Sequence, residues 1–398
     1  MNTPSRISLS APHEFLSYVP ALVGFQPVDS VVLVAFRDQG TCGAMRLDLG
    51  AFTNPRTSAA AVGKALDGLC RIPRITGVLP VIYTSRQFSE SGRAPHEDVA
   101  AVLSSQIEVC GLEVVDMLCV AADAWGGYLD DSCLGHDRTM VTEPESLPGR
   151  RLLDAADELS LPAVSAVERE TFARASAALA RQSDDDEGIP FSGEPTLEGP
   201  EAPMPMPTPT PALAGPEFAT GMASYVDEGA TVLDAELALI SRLIDEPALR
   251  DVIAYSWAWG AEAGAHLWRR VFAPEQFITD SEDDPWMYAF AGRIEVRPDP
   301  DRLRRSIRLL KSICARTRPD DRAPVLTLIS WCYWALGLGS FAGAWQRDAL
   351  EVDGTYGLAI ILGMMLDAGT IPDWAFTDPN ELNDAHSAPE DAQVDPAA

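Results

Sequence analysis

The chain has 398 residues and a formal net charge of −29, from 30 Lys+Arg against 59 Asp+Glu, with 46% hydrophobic residues. The hydrophobic content excludes a globally disordered chain, and the charge excludes a whole-surface binder of nucleic acid or anionic membrane. The length predicts more than one compact unit, and seven cysteines, an odd and small number, exclude a disulfide scaffold.

The opening residues, MNTPSRISLSAPHEFL, contain no cationic region leading into an apolar run, so no signal peptide is expected. With unpaired cysteines, the expected location is the cytoplasm. The β-branched run Val28–Phe36, a turn at Asp38-Gln39-Gly40 and the alternation of Ala44–Leu49 predict a hairpin. Asn54 and Pro55 are placed to start a helix that runs to about Cys70. A strand at Val78–Tyr83, a helix at Glu97–Cys110 and a strand at Leu112–Ala121 follow. This β-β-α-β-α-β order predicts a mixed α/β domain over residues 1–150, the first part of an α+β protein. A helical extension is expected over 151–182, broken at Pro162.

Residues 183–217 hold eight acids, no base and nine prolines, and read as an extended acidic linker. Residues 218–376 read as an α-helical domain and 377–398 as a frayed acidic tail. Linker and tail together hold −14, leaving −15 on the other 341 residues. In the helical domain, short amphipathic helices are expected at Val232–Leu243, Pro247–Trp259 and Ala261–Phe272. In Asp301–Arg316, Leu303, Ile307, Leu310 and Cys314 share one face, opposite Arg304, Arg305, Arg308 and Lys311. Helices at Pro324–Gly337, Ser340–Val352 and Tyr356–Leu366 complete the domain. Residues 323–346 carry no charge and are long enough to span a bilayer, but Gly337–Gly339 divides them, so a buried helical hairpin is expected and a membrane partner is not.

Motifs for catalysis are sparse. Gly63-Lys64 lacks the rest of a phosphate loop, and no nucleophile elbow, His-Glu-x-x-His or dinucleotide fingerprint is present. Cys119, Cys133 and His136, completed by Cys110 or Asp137, have spacing a zinc ion could use; Cys110 and Cys119 read more simply as buried apolar thiols. Asp29, Asp48, Asp116 and Asp123 stand near strand ends and could converge as a metal-dependent phosphoesterase or nuclease requires. His13 and His96 lie near helix starts and read as solvated. No catalytic residue, metal site or cofactor is assigned.

Two binding features remain. Residues 293–322 hold ten Arg/Lys and five acids, a local +5. The face of Arg304, Arg305, Arg308 and Lys311 is expected to bind an acidic protein surface, with nucleic acid as an alternative and the chain's own acidic segments as competitors. The run Trp125-Gly126-Gly127-Tyr128 is expected to be a turn, and Arg46, Asp48, Trp125 and Tyr128 a possible ligand loop.

Phe15–Val34 with Gly24-Phe25, Pro27 and Asp29-Ser30, the strand Arg46-Leu47-Asp48-Leu49, Asp116–Tyr128, and Ala323–Leu366 with Trp331, Trp334 and Tyr356 resemble an actinobacterial family known as domain of unknown function 4192. The resemblance implies a cytoplasmic protein and carries no activity. Leu326–Val352 also resembles one tetratricopeptide-like hairpin, which must pack on other helices because a lone unit cannot bury its own face. The expected function is a non-enzymatic interaction or regulatory module.

Overall fold

The computed structural model describes residues 11–38, 40–53, 58–130, 135–142, 152–185, 215–274 and 284–377. Most of the expected linker and tail, together with Asn54, Pro55 and Cys133, lie outside these residues. The chain forms two compact units. The first takes its described residues from 1–161, 338–345 and 361–370, and the second from 162–337, 346–360 and 371–398.

The first unit is built on a mixed sheet. Strands β1 (Ser30–Arg37) and β2 (Gly40–Asp48) form the expected antiparallel hairpin, with a bulge between Ala35 and Phe36. β3 (Gly77–Tyr83) pairs antiparallel with the other edge of β1. The expected strand Leu112–Ala121 is instead two short ones, β4 (Glu113–Val114) and β5 (Leu118–Val120), both parallel to β3. Pro80 falls in the gap between them; its ring has no N–H to give a neighbouring strand. The Asp116 carboxylate takes the Met117 N–H at 2.7 Å as the chain steps across. β6 (Ala124–Gly127) and β7 (His136–Asp137) extend the sheet, so the order is β2-β1-β3-β5-β6-β7. Trp125-Gly126-Gly127 is therefore strand, and the turn lies earlier, where the Ala121 N–H meets the Ala124 carbonyl.

β1 and β3 alternate their side chains between two apolar layers, both out of water. On one face Val31, Leu33, Ala35, Val78 and Ile82 pack against α3 (Ser58–Cys70) and α5 (Glu97–Val109) through Leu66, Leu69, Leu103 and Ile107. On the other, Val32, Val34, Leu79 and Val81 pack against Leu16 and Val19 of α1 (Pro12–Val23). The shorter helices α2 (Gly50–Thr53), α4 (Phe88–Ser91) and α6 (Ala155–Glu158) occupy connections.

The second unit is helical: α7 (Ala166–Asp185), α8 (Glu217–Ser224), α9 (Asp234–Ile244), α10 (Pro247–Trp259), α11 (Ala261–Phe272), α12 (Pro300–Arg316) and α13 (Ala323–Ala335). α8 falls where the sequence reading ended its linker. Gly264 lets α10 and α11 approach, since a Cβ there would lie 1.9 Å from Ser256 Oγ. α13 is buried all round and packs on α12, which explains its uncharged sequence without a membrane. Among the described residues no helix is long and apolar enough to cross a bilayer; the run breaks at Gly337, whose φ is 77°. α14 (Gly339–Val352) and α15 (Gly357–Asp367) follow, each contributing residues to both units.

Leu103 is fully buried between α5 and the sheet. Leu103→Ala is expected to destabilise the first unit by about 2–5 kcal/mol, read as a lower urea midpoint.

Candidate functional site

The end of the sheet where β3 and β5 finish collects most of the polar chemistry of the first unit. β1 begins there and β2 ends there, because Ser30 pairs with both Asp48 and Tyr83, and Tyr83 pairs with Val120. The connection Thr84–His96 is stitched to its neighbours by backbone bonds, Thr84 N–H to the Val120 carbonyl and Ala122 N–H to the Arg86 carbonyl, each 3.0 Å. Asp29 accepts the Ser85 N–H at 2.8 Å and faces its hydroxyl at 3.3 Å. Asp123 accepts the N–H groups of Phe88 and Ser89 at 2.8 and 3.2 Å, capping α4.

His96 closes this connection. It is the N-cap residue of α5 in the left-handed region, φ 66°, and Asp29 across from it has φ 40°. Such backbone is costly for residues with a Cβ and persists only where surrounding contacts hold it. His96 Nε2 lies 3.1 Å from Thr84 Oγ1, which also accepts the Arg86 N–H at 3.2 Å. Partial burial lowers the imidazole pKa, and the Arg86 charge lowers it further, outweighing the opposing pull of Asp98 and Asp29. The ring is thus tuned towards its neutral form. Sequence spacing left His96 as a solvated residue, because its partner Thr84 reaches it only after β3 and the connection fold back.

The residues expected to form one ligand loop lie in separate places. Arg46 donates to Ser30 Oγ at 2.7 Å, Ser340 Oγ at 2.9 Å and the Val28 carbonyl at 3.3 Å. Its nearest carboxylate is the exposed Asp48, 4.0 Å away, while Asp48 also accepts the Gly50 N–H. Burial lowers the Arg46 pKa against the opposing charge of Asp48. Trp125 faces the α1 side, its ring centroid 4.5 Å from His136 and 5.9 Å from His13, with its indole nitrogen buried and lacking an acceptor among the described residues. Tyr128 faces the α5 side and donates its hydroxyl to the Pro95 carbonyl. There it lines a groove of about 240 Å³ with Arg93, Glu97, Ser104, Met117 and Asp130.

The four aspartates do not meet as a metal centre. Asp29, Asp48 and Asp123 share one sheet end but are each engaged by backbone N–H groups, and Asp116 precedes β5 at its other end. Among the described residues no three His, Cys, Asp or Glu side chains form a metal-binding group. Cys119 is buried as expected, whereas Cys110 is exposed.

On α12 the basic residues divide. Arg305 donates to the Val226 carbonyl, and Lys311, expected on the polar side, is buried with its ammonium 5.7 Å from the Tyr333 ring centre. A lysine can bury its aliphatic stem at such a boundary while its ammonium finds a polar or aromatic partner. Arg302 binds Asp227 and the carbonyls of Ala223, Ser256 and Trp257; Arg316 binds Glu168 and Asp234. Arg304 and Arg308 remain exposed, Arg304 with a surface pair to Asp301 at 3.0 Å.

The second unit holds a further polar centre that spacing did not show. Buried Asp284 accepts from His266 Nε2 at 3.0 Å, from Arg270 and from the Trp286 N–H. Burial alone would raise its carboxyl pKa, but these hydrogen bonds hold it below the ordinary range.

Residues 12–146 match the family described as a domain of unknown function (DUF4192). The match covers the sheet and the His96 loop; the C-terminal segment that also resembled the family lies outside it. No curated protein and no solved structure matches the chain.

The lowered His96 pKa makes the folded state resist protonation there. The stability it contributes is therefore present above the ordinary imidazole range, about pH 6.5, and is lost as pH falls through the depressed folded value. An NMR titration is expected to place the His96 midpoint below that of an unfolded histidine, and His96→Asn to remove this part of the acid loss of stability; an unshifted midpoint would refute the assignment.

Proposed function

We propose that the protein is a non-enzymatic cytoplasmic interaction module whose helical unit contacts an acidic protein surface through Arg304 and Arg308. The observation that carries this reading is the division of cations on α12. Arg302, Arg305, Lys311 and Arg316 are engaged by groups of their own unit, while Arg304 and Arg308 stand one helical turn apart and exposed. The pair between Arg304 and Asp301 joins two exposed side chains three residues apart, an interaction worth little and readily exchanged for a partner's carboxylate. Arg308 has no ion pair among the described residues. Two exposed guanidinium groups suit a patch of carboxylates, which they can meet in bidentate fashion.

The same features bear on the alternatives. A phosphoesterase reading required Asp29, Asp48, Asp116 and Asp123 to converge with free oxygens, and their engagement with turns and caps gives it no support. On α12 a nucleic-acid reading retains two outward arginines among the described residues, Arg304 and Arg308, and each phosphate neutralised contributes a slope near −0.9 to the salt dependence.

The test uses the full-length chain and poly-L-glutamate as the acidic probe, at low salt. The double variant Arg304→Glu/Arg308→Glu is expected to weaken binding about tenfold and to flatten its salt dependence. Unchanged affinity would overturn the proposal, and tighter binding of the native chain to duplex DNA than to polyglutamate would favour the nucleic-acid reading instead.

A further inference from the structure

Two exposed cysteines meet where α3 and α5 end. Cys70 is the last residue of α3, and Cys110 is the C-cap residue of α5. The two helices pack side by side on one face of the sheet. What brings their ends together is the strand pairing that follows. The chain after Cys70 runs into β3 and the chain after Cys110 into β4, and these strands pair in parallel with Gly77 opposite Glu113. The Glu113 N–H also donates to the Thr76 carbonyl at 3.1 Å. Gly111, with φ 74°, turns the chain directly out of α5, and the Leu112 N–H closes the cap on the Ile107 carbonyl. Parallel neighbours linked by a helical crossover thus place two helix C-termini at the same end of the sheet. The two thiols are close enough to act on one another: burial raises the Cys70 pKa, and the neighbouring Cys110 raises it further.

We infer that Cys70 and Cys110 are a reversible thiol–disulfide pair that ties α3 to α5 under oxidation. A low-molecular-weight disulfide serves as the oxidant. The thiolate of one cysteine attacks one of its sulfurs, the small molecule's S–S bond breaks, and one small thiol leaves, giving a mixed disulfide on the protein. The second cysteine, as thiolate, attacks the protein-bound sulfur, forms the Cys70–Cys110 bond and expels the second small thiol. The protein loses two electrons and two protons, and the small disulfide gains both. A reducing thiol runs the sequence backwards.

The other described cysteines lack this arrangement. Cys119, Cys314 and Cys332 are buried, which withholds them from an oxidant in solution. Cys42 is half-buried on β2. A bond between residues 70 and 110 would enclose β3 and the His96 connection in one covalent loop, constraining the unfolded chain there.

The experiment treats the full-length protein with oxidised glutathione and maps its peptides by mass spectrometry without reduction. The expected result is a linked peptide pair containing Cys70 and Cys110, an intact mass about 2 Da lower for the closed bond, and reversal by dithiothreitol. Oxidation is also expected to raise the melting temperature of the native chain but not of Cys70→Ser or Cys110→Ser. Separate glutathione adducts on the two cysteines with no linked peptide, or linkage of either to a different cysteine, would overturn the inference. Should a serine variant fail to fold, the peptide map of the native chain still decides.

Discussion

The pairing of β1 with β3 is the constraint on which the first unit depends. Both strands are buried on both faces, with seven consecutive paired positions from Ser30–Tyr83 to Phe36–Gly77. Side chains alternate across this ladder, so one register fixes two apolar layers at once, and a slip of one residue would exchange them. The layer of Leu33 and Ile82 holds α3 and α5; the layer of Val32 and Val81 holds α1. Every chemically distinctive group in the unit takes its place from this register. Asp29 and Thr84 are adjacent because they flank Ser30 and Tyr83, which face each other. The ends of α3 and α5 are adjacent because β4 joins β3 in parallel at Gly77 and Val78, the partners of Phe36 and Ala35.

The same alternation separates residues that sequence proximity had grouped. Trp125 and Tyr128 are three apart, an odd number, and in extended chain this sends them to opposite faces. The tryptophan ends among His13 and His136, the tyrosine against Pro95. On α12 helical periodicity applies instead, but a face is wider than a line. Arg305 and Lys311 sit at its borders, where carbonyls and an aromatic ring reach them, while Arg304 and Arg308 occupy its outermost line. The difference between a basic helix and a basic binding surface is set by these borders.

Much of the architecture was legible because strong periodicity and punctuation agree. The hairpin of β1 and β2, and helices α10 to α14, lie where the apolar repeat, proline starts and glycine stops place them. The C-terminal apolar run was legible as a hairpin-like break because Gly337 interrupts it. Less legible were features made by tertiary pairing. The split of β4 and β5 depends on Pro80 in a neighbouring strand, and β6 carries two glycines that locally signal a turn. At the candidate sites, residue types were visible but partners were not. His96 needs Thr84, Asp284 needs His266 and Arg270, and Cys110 needs Cys70, each contact being formed only when separate elements fold together.

Because all placements in the first unit derive from the β1–β3 ladder, that ladder must be the last part of the unit to open. Native-state hydrogen exchange read residue by residue tests this directly. The account predicts that the hydrogen-bonded amides within Val31–Ala35 and Val78–Ile82 exchange slowest and share one opening free energy. Exchange there as fast as in the short helix Phe88–Ser91, or protection in α1 that survives loss of protection in the ladder, would contradict it.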